Sequence, residues 1–202
     1  MSGTLIWALV GLGVAVLVVR RLSIAVGLVT AQALLLAAFA FEHGTAGKHI
    51  LAGVALAARA LGLAAVFLVV VARTREPRPI RAGVTPLVRA GGAVAFALAL
   101  TWLIPAIGLS SRNAERAVLT LVAFGIATAA TRRATLFQVI GIVLVENGIA
   151  VAALTLPGAS SLIEIGIALD LTLIVFVAAV FHERIFAEFG AGDTAALRSL
   201  RD

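Results

Sequence analysis

Cysteine is absent from this 202-residue chain, so it can hold no disulfide, no thiolate zinc site and no iron–sulfur cluster. Any redox chemistry associated with it must reside on partners. Histidine is scarce: His43 and His49 share one loop with Glu42, and His182 stands far along the chain near the opposite face. That scatter does not make a metal site, and all three read as interfacial polar residues. No glycine-rich phosphate loop, nucleophile elbow or zinc-binding helix appears. Lysine is nearly missing too, Lys48 being the one exception among sixteen basic residues. Charge is sparse overall, at 13% against 62% hydrophobic residues and a mean hydropathy of +1.14. A water-soluble domain is excluded by that balance, since such domains are roughly 45–50% apolar. The net charge of +6 and pI near 11.6 would suggest nucleic acid in a soluble chain. In a membrane chain the same excess is a topology signal, and no nucleic-acid partner is expected.

What is abundant is long apolar runs. About 20 apolar residues cross the ~30 Å hydrocarbon core as a helix, and shorter runs are tolerated where the bilayer thins. Seven runs lie between the charges and prolines: Thr4 to Val19, Leu22 to Phe41, Ile50 to Ala72, Leu87 to Ile104, Ala117 to Ala130, Ala134 to Thr155 and Leu162 to Phe181. β-Barrel alternation is absent, and the unhydrated bilayer core favours helices, whose backbone bonds are internal. The expected fold class is an all-α, polytopic membrane protein of about seven transmembrane helices.

Assigning the connections alternately to two sides puts twelve basic residues on one side and three, Lys48, Arg112 and Arg116, on the other. Arg59 is left inside a span. The positive-inside rule places the richer side in the cytoplasm, which predicts an inner-membrane protein with its N-terminus outside and its C-terminus inside. The first run carries Arg20–Arg21 after its apolar stretch rather than before it, so it reads as a retained helix and not as a cleaved signal. The segment from Arg73 to Pro86 carries three prolines and four of the basic-side arginines, and reads as a hinge or linker that is either a topology anchor and anionic-lipid contact or a docking site for a specific partner.

The polar residues suggest an internal repeat. Arg20–Arg21 and Arg132–Arg133 stand 112 apart; Gly27 with Gln32 and Gly141 with Glu146 stand 114 apart; Arg59 and Asp170 stand 111 apart. The expected organisation is therefore a first three-helix repeat over 1–72, a linker, spacer helix and outer loop over 73–116, a second three-helix repeat over 117–186, and a tail over 187–202. The copies are parallel.

Counted at 1.5 Å per residue from the outer end of each run, Gln32, Arg59, Glu146 and Asp170 all lie about 13 Å deep. Ionisable groups at that depth are costly, face protein or water, and mark ion or proton paths. Two acids and one guanidinium leave a carboxyl free to exchange a proton, the minimum for a relay. The other reading is a static buried ion pair that holds the bundle together, and Gln32 also reads as interhelical glue. Glu164 completes an S-x-x-E capping box with Ser161, with an outer proton-entry role as the alternative.

At the last two runs the residues meet a family. The stretch RRATLFQVIGIVLVENGIAVAALTLPGASSLIEIGIALDLTLIVFVAAVFHERIF, with its E-N-G and E-x-G-x-x-x-D motifs, resembles hydrogenase-4 component E, a membrane subunit of energy-converting [NiFe] hydrogenase and formate hydrogenlyase complexes. That family is in turn similar to the K subunit of respiratory complex I and the C subunit of multisubunit cation/proton antiporters. Val143 stands where the complex I relative has its first membrane glutamate, and the acid here is Glu146, three residues on. Asp170 stands twelve residues before His182, at the distance of the relative's second glutamate from its basic helix end. The resemblance covers about a quarter of the chain well. It implies a non-catalytic proton-path subunit with no cofactor of its own, partnered by antiporter-like membrane subunits and by hydrophilic redox subunits that carry the nickel–iron and iron–sulfur centres. A scaffold subunit and an independent small transporter are the competing readings.

Overall fold

The computed structural model describes residues 3–42, 47–74, 84–156, 175–176, 178–184 and 186–187. Among these there is no β-strand; the architecture is all-α. Six helices have defined bounds: α1 (Gly3–Val18), α2 (Leu22–Glu42), α3 (Gly47–Thr74), α4 (Pro86–Leu103), α5 (Arg112–Thr131) and α6 (Thr135–Thr155). A further helical stretch is described over 175–187 with gaps. Helices α2 to α6 are long and apolar enough to cross a membrane, and α1, at 16 residues, is shorter. Most of the run from Leu162 to Phe181, the proline-bearing linker and the tail lie outside the described residues.

The helix ends differ from the apolar runs in an instructive way. The fifth run is expected to begin at Ala117, yet α5 begins at Arg112. Ser111 is its N-cap, with Oγ accepting from the Ala114 amide at 3.2 Å, so Arg112, Glu115 and Arg116 form a polar first turn below the apolar body. Apolar length marks what is buried in lipid, whereas capping marks where the helix begins. Helix α3 likewise extends past its apolar run at both ends. Helix α4 starts on Thr85, whose side chain accepts from the Val88 amide, with Pro86 in the first turn, where its missing N–H costs nothing.

Two connections are only three residues long, Val19–Arg21 and Arg132–Ala134, and each contains one of the Arg–Arg pairs. So short a turn makes α1 and α2, and α5 and α6, antiparallel neighbours. The α5–α6 crossing is the closest in the bundle. A Cβ placed on Gly125 would meet the Gly141 carbonyl oxygen at 2.5 Å, and one on Gly141 would meet the Gly125 oxygen at 2.6 Å. Only glycine at both positions lets these backbones approach. Helix α1 packs on α5, α2 on α6, α4 on α5 and α1, and α3 on α2.

The interior divides into two apolar clusters stacked along the bundle axis. One contains Ile6 and Leu9 of α1, Leu36 and Ala40 of α2, Leu56 of α3, the first half of α5, and Ala150 and Val151 of α6. The other contains Leu22 to Val29 of α2, Leu63 to Val70 of α3, Ala134 to Val143 at the start of α6, and Val175 and Ala179. The exterior is apolar as well, with Leu61, Leu98 and Trp102 at 60%, 66% and 91% exposure. A bundle that is oily on both sides is built for lipid. These features define the class: a polytopic α-helical membrane protein.

Candidate functional site: a polar seam between two apolar halves

The seam between the two clusters is where the polar residues gather. Gln32 lies between Val29 and Leu36, Arg59 between Leu56 and Leu63, and Asn147 between Val143 and Ala150, each pair of flanking residues belonging to opposite clusters. All three are buried, at 0%, 5% and 1% exposure, in a core that offers few polar partners. Glu146, half-buried, is next to Asn147.

One half of the seam is satisfied by hydrogen bonds. Gln32 Nε2 donates to the Leu9 carbonyl at 2.8 Å, and Asn147 Nδ2 donates to Gln32 Oε1 at 2.8 Å. Three helices, α1, α2 and α6, are thereby tied at one depth. Asn147 belongs to the E-N-G motif but was not singled out by spacing. Its separation from Gln32, 115 residues, is the available signal, because it falls within a few residues of the 111 to 114 offsets of the expected repeat.

The other half is not satisfied. None of the Arg59 guanidinium nitrogens has a hydrogen-bond partner among the described residues, although the Glu146 carboxylate acts on the guanidinium electrostatically. What links Arg59 to Glu146 here is the field of the carboxylate. Glu146 does have another interaction of its own. Beside Arg59 a small cleft opens between α2, α3 and α6, lined by Thr30, Ala33, Ala60, Leu63, Phe67 and Val143 among others. Val143 thus lines this cleft, and Glu146 sits about one turn further along the same helix.

The remaining expected site residues divide in two. Asp170, Glu164 and its capping partner Ser161 lie outside the described residues. Within the E-N-G motif, Gly148 packs on α5, a Cβ there meeting Leu121 and Val122 at 3.2 Å, whereas Gly27, the proposed counterpart of Gly141, faces open space. The two glycines of the expected repeat therefore do different work.

Three further basic or imidazole residues turn inward. Arg89 and Arg132 are each only 2% exposed, and His182, read as interfacial, is wholly buried. Arg89 shares one face of α4 with Ala93 and Ala97, four and eight residues on, and that small-residue stripe turned toward the bundle carries the guanidinium inward. Among the described residues no group of three or more metal-ligating side chains is assembled.

The chain is 32% identical over 151 residues to "Uncharacterized protein Rv0085" of Mycobacterium tuberculosis, an alignment that covers 73% of this chain and 65% of that relative's length. No family model and no solved structure matches it.

Proposed function

We propose that this chain is a non-catalytic membrane subunit of a complex I-like, energy-converting hydrogenase assembly, in which Glu146 and Asp170 carry a proton under the electrostatic control of Arg59. The observation that carries the reading is the Arg59 guanidinium: buried, without a hydrogen bond, and in the field of Glu146. An uncommitted cation near a carboxylate favours its ionised form, and a small shift of the cation lets the acid take a proton back. The resemblance of the E-N-G and E-x-G-x-x-x-D region to hydrogenase-4 component E supports the assignment, as does the seam's position between two apolar halves. On this reading the chain lies in the cytoplasmic membrane with its N-terminus outside, is built from two parallel three-helix repeats, and packs among antiporter-like subunits while hydrophilic redox subunits dock on its basic face.

A scaffold role is favoured by a different observation, the Gln32–Asn147–Leu9 chain of hydrogen bonds, which is static glue between three helices. The experiment that separates the two uses the gently solubilised complex reconstituted in vesicles. Glu146→Gln and Asp170→Asn keep volume and hydrogen bonding while removing ionisation. The relay expects each to assemble normally and to retain electron transfer while proton movement falls. Full proton coupling in the double variant would reduce the seam to architecture, and purification of the chain without any partner subunit would point instead to an independent transporter.

A further inference from the structure

Three cationic side chains meet where α1 and α5 end and α4 begins. Arg20 follows α1 by two residues and is exposed; Arg89 lies in the first turns of α4; Arg132 is the C-cap of α5. Their charges are close enough to act on one another, Arg20 on both of the others and Arg89 on Arg132. Arg132 is partly engaged. Its Nη2 donates to the Leu17 and Val19 carbonyl oxygens, which finishes the C-terminus of α1, and its guanidinium carbon sits 4.2 Å over the Phe137 ring. Nε and Nη1 of Arg132 and all three nitrogens of Arg89 have no hydrogen-bond partner among the described residues, and both side chains are 2% exposed.

Like charges do not gather under cover without something to hold them. Burial first, and then the neighbouring charges of Arg89 and Arg20, bring the pKa of Arg132 down to about 10, still far above physiological pH, so the cluster is cationic in the cell. The N-terminus of α4 brings the positive end of its dipole to this place, and the negative C-terminal ends of α1 and α5 are met by Arg132. We propose that Arg20, Arg89 and Arg132 form a binding site for a phosphate group, and that the ligand is the phosphodiester headgroup of an anionic phospholipid. The chemistry fits because a phosphate offers acceptor oxygens to several guanidinium edges at once, a geometry that lysine would not match. The location fits because helix ends lie at headgroup depth, where the bilayer presents phosphates at high local concentration. This site is at the bundle's end, separate from the Arg59 seam, and stands whether or not the relay reading does.

The test uses the full chain purified in mild detergent, stripped of lipid, and exposed to phosphatidylglycerol, phosphatidylcholine or inorganic phosphate, with bound lipid read by native mass spectrometry and stability by thermal unfolding. Wild type should retain phosphatidylglycerol over phosphatidylcholine and be stabilised by it. Each arginine lost should lower that preference by roughly fivefold. Arg89→Gln removes the least engaged guanidinium; should it fail to fold, Arg20→Gln alters an exposed residue and Arg89→Lys keeps the charge without the planar fork, and both should weaken retention. Stabilisation by inorganic phosphate equal to that by phosphatidylglycerol would overturn the lipid assignment in favour of a soluble phosphate. Equal retention of the two lipids by wild type would overturn the site, as would stability gained only with a co-purified subunit, which would assign the guanidiniums to a protein carboxylate.

Discussion

Arg59 and Gln32 share a depth but not a chemistry, and the difference is measurable. Gln32 has bonds to lose: Gln32→Leu leaves the Asn147 amide and the Leu9 carbonyl without their partner. We expect it to destabilise the protein in detergent by about 1 kcal/mol, as interhelical hydrogen bonds in membranes do. A double-mutant cycle with Asn147→Leu should return a coupling of similar size, and additive losses would show that the pair does not interact. Arg59 has no hydrogen bond to lose among the described residues. Arg59→Met should therefore leave unfolding unchanged or delayed, because a buried cation is exchanged for a flexible apolar side chain of related length. A loss above about 2 kcal/mol would mark Arg59 as structural glue. Depth along each run already put these residues in one layer; which of them was satisfied depended on partners more than a hundred residues away.

At the scale of the element, glycines and caps decide geometry that hydropathy does not register. Gly141→Ala places a methyl against backbone atoms of α5, Ala129 N and Gly125 O, both at 2.6 Å, so the helices have to separate. The expected cost is about 1–3 kcal/mol, read as a lowered unfolding temperature. Gly27→Ala, its counterpart by spacing, meets nothing within 4 Å and should be neutral or slightly stabilising through better helix propensity. Equal effects at the two positions would contradict the packing described. At the other end of α5, a Glu115 carboxylate oxygen accepts from the Gly108 and Leu109 amides at 2.9 and 3.2 Å, and the Ser110 amide donates to the Thr155 carbonyl at 3.0 Å. Gly108 has φ +82°, a left-handed backbone that disfavours a side chain. Glu115→Ala should loosen this loop and raise its hydrogen exchange while the α5–α6 crossing stays protected. The charged start of α5 was hidden from a reading by apolar length because lipid solvation and helix capping are separate forces acting on neighbouring residues.

For the whole molecule, the basic asymmetry of twelve against three predicts the N-terminus outside and the C-terminus in the cytoplasm. Single cysteines introduced at positions 2 and 202 of a chain that has none can be probed with an impermeant reagent on intact cells. Labelling is expected at 2 and not at 202, and the reverse pattern would overturn the topology. Helix α1 contacts α5 and α2 contacts α6, and hydrogen bonds link residues 113 to 115 apart across these pairs.

Composition and run length were enough to determine that the protein is a helical membrane protein, because the bilayer acts on every residue of a span alike and its demand sums along the chain. Depth was legible for the same reason: a helix rises by a fixed step, so counting from its end locates Gln32, Arg59 and Glu146 without knowledge of their neighbours. Rotation about each helix axis was not legible. In a chain this apolar nearly every face could be turned to lipid or to protein, and the choice rests on close-packing between particular surfaces. Only the tertiary structure therefore decided that Asn147 meets Gln32, that Gly141 lies against Gly125, and that Arg89 and Arg132, which the basic asymmetry assigns to the cytoplasmic side, turn inward.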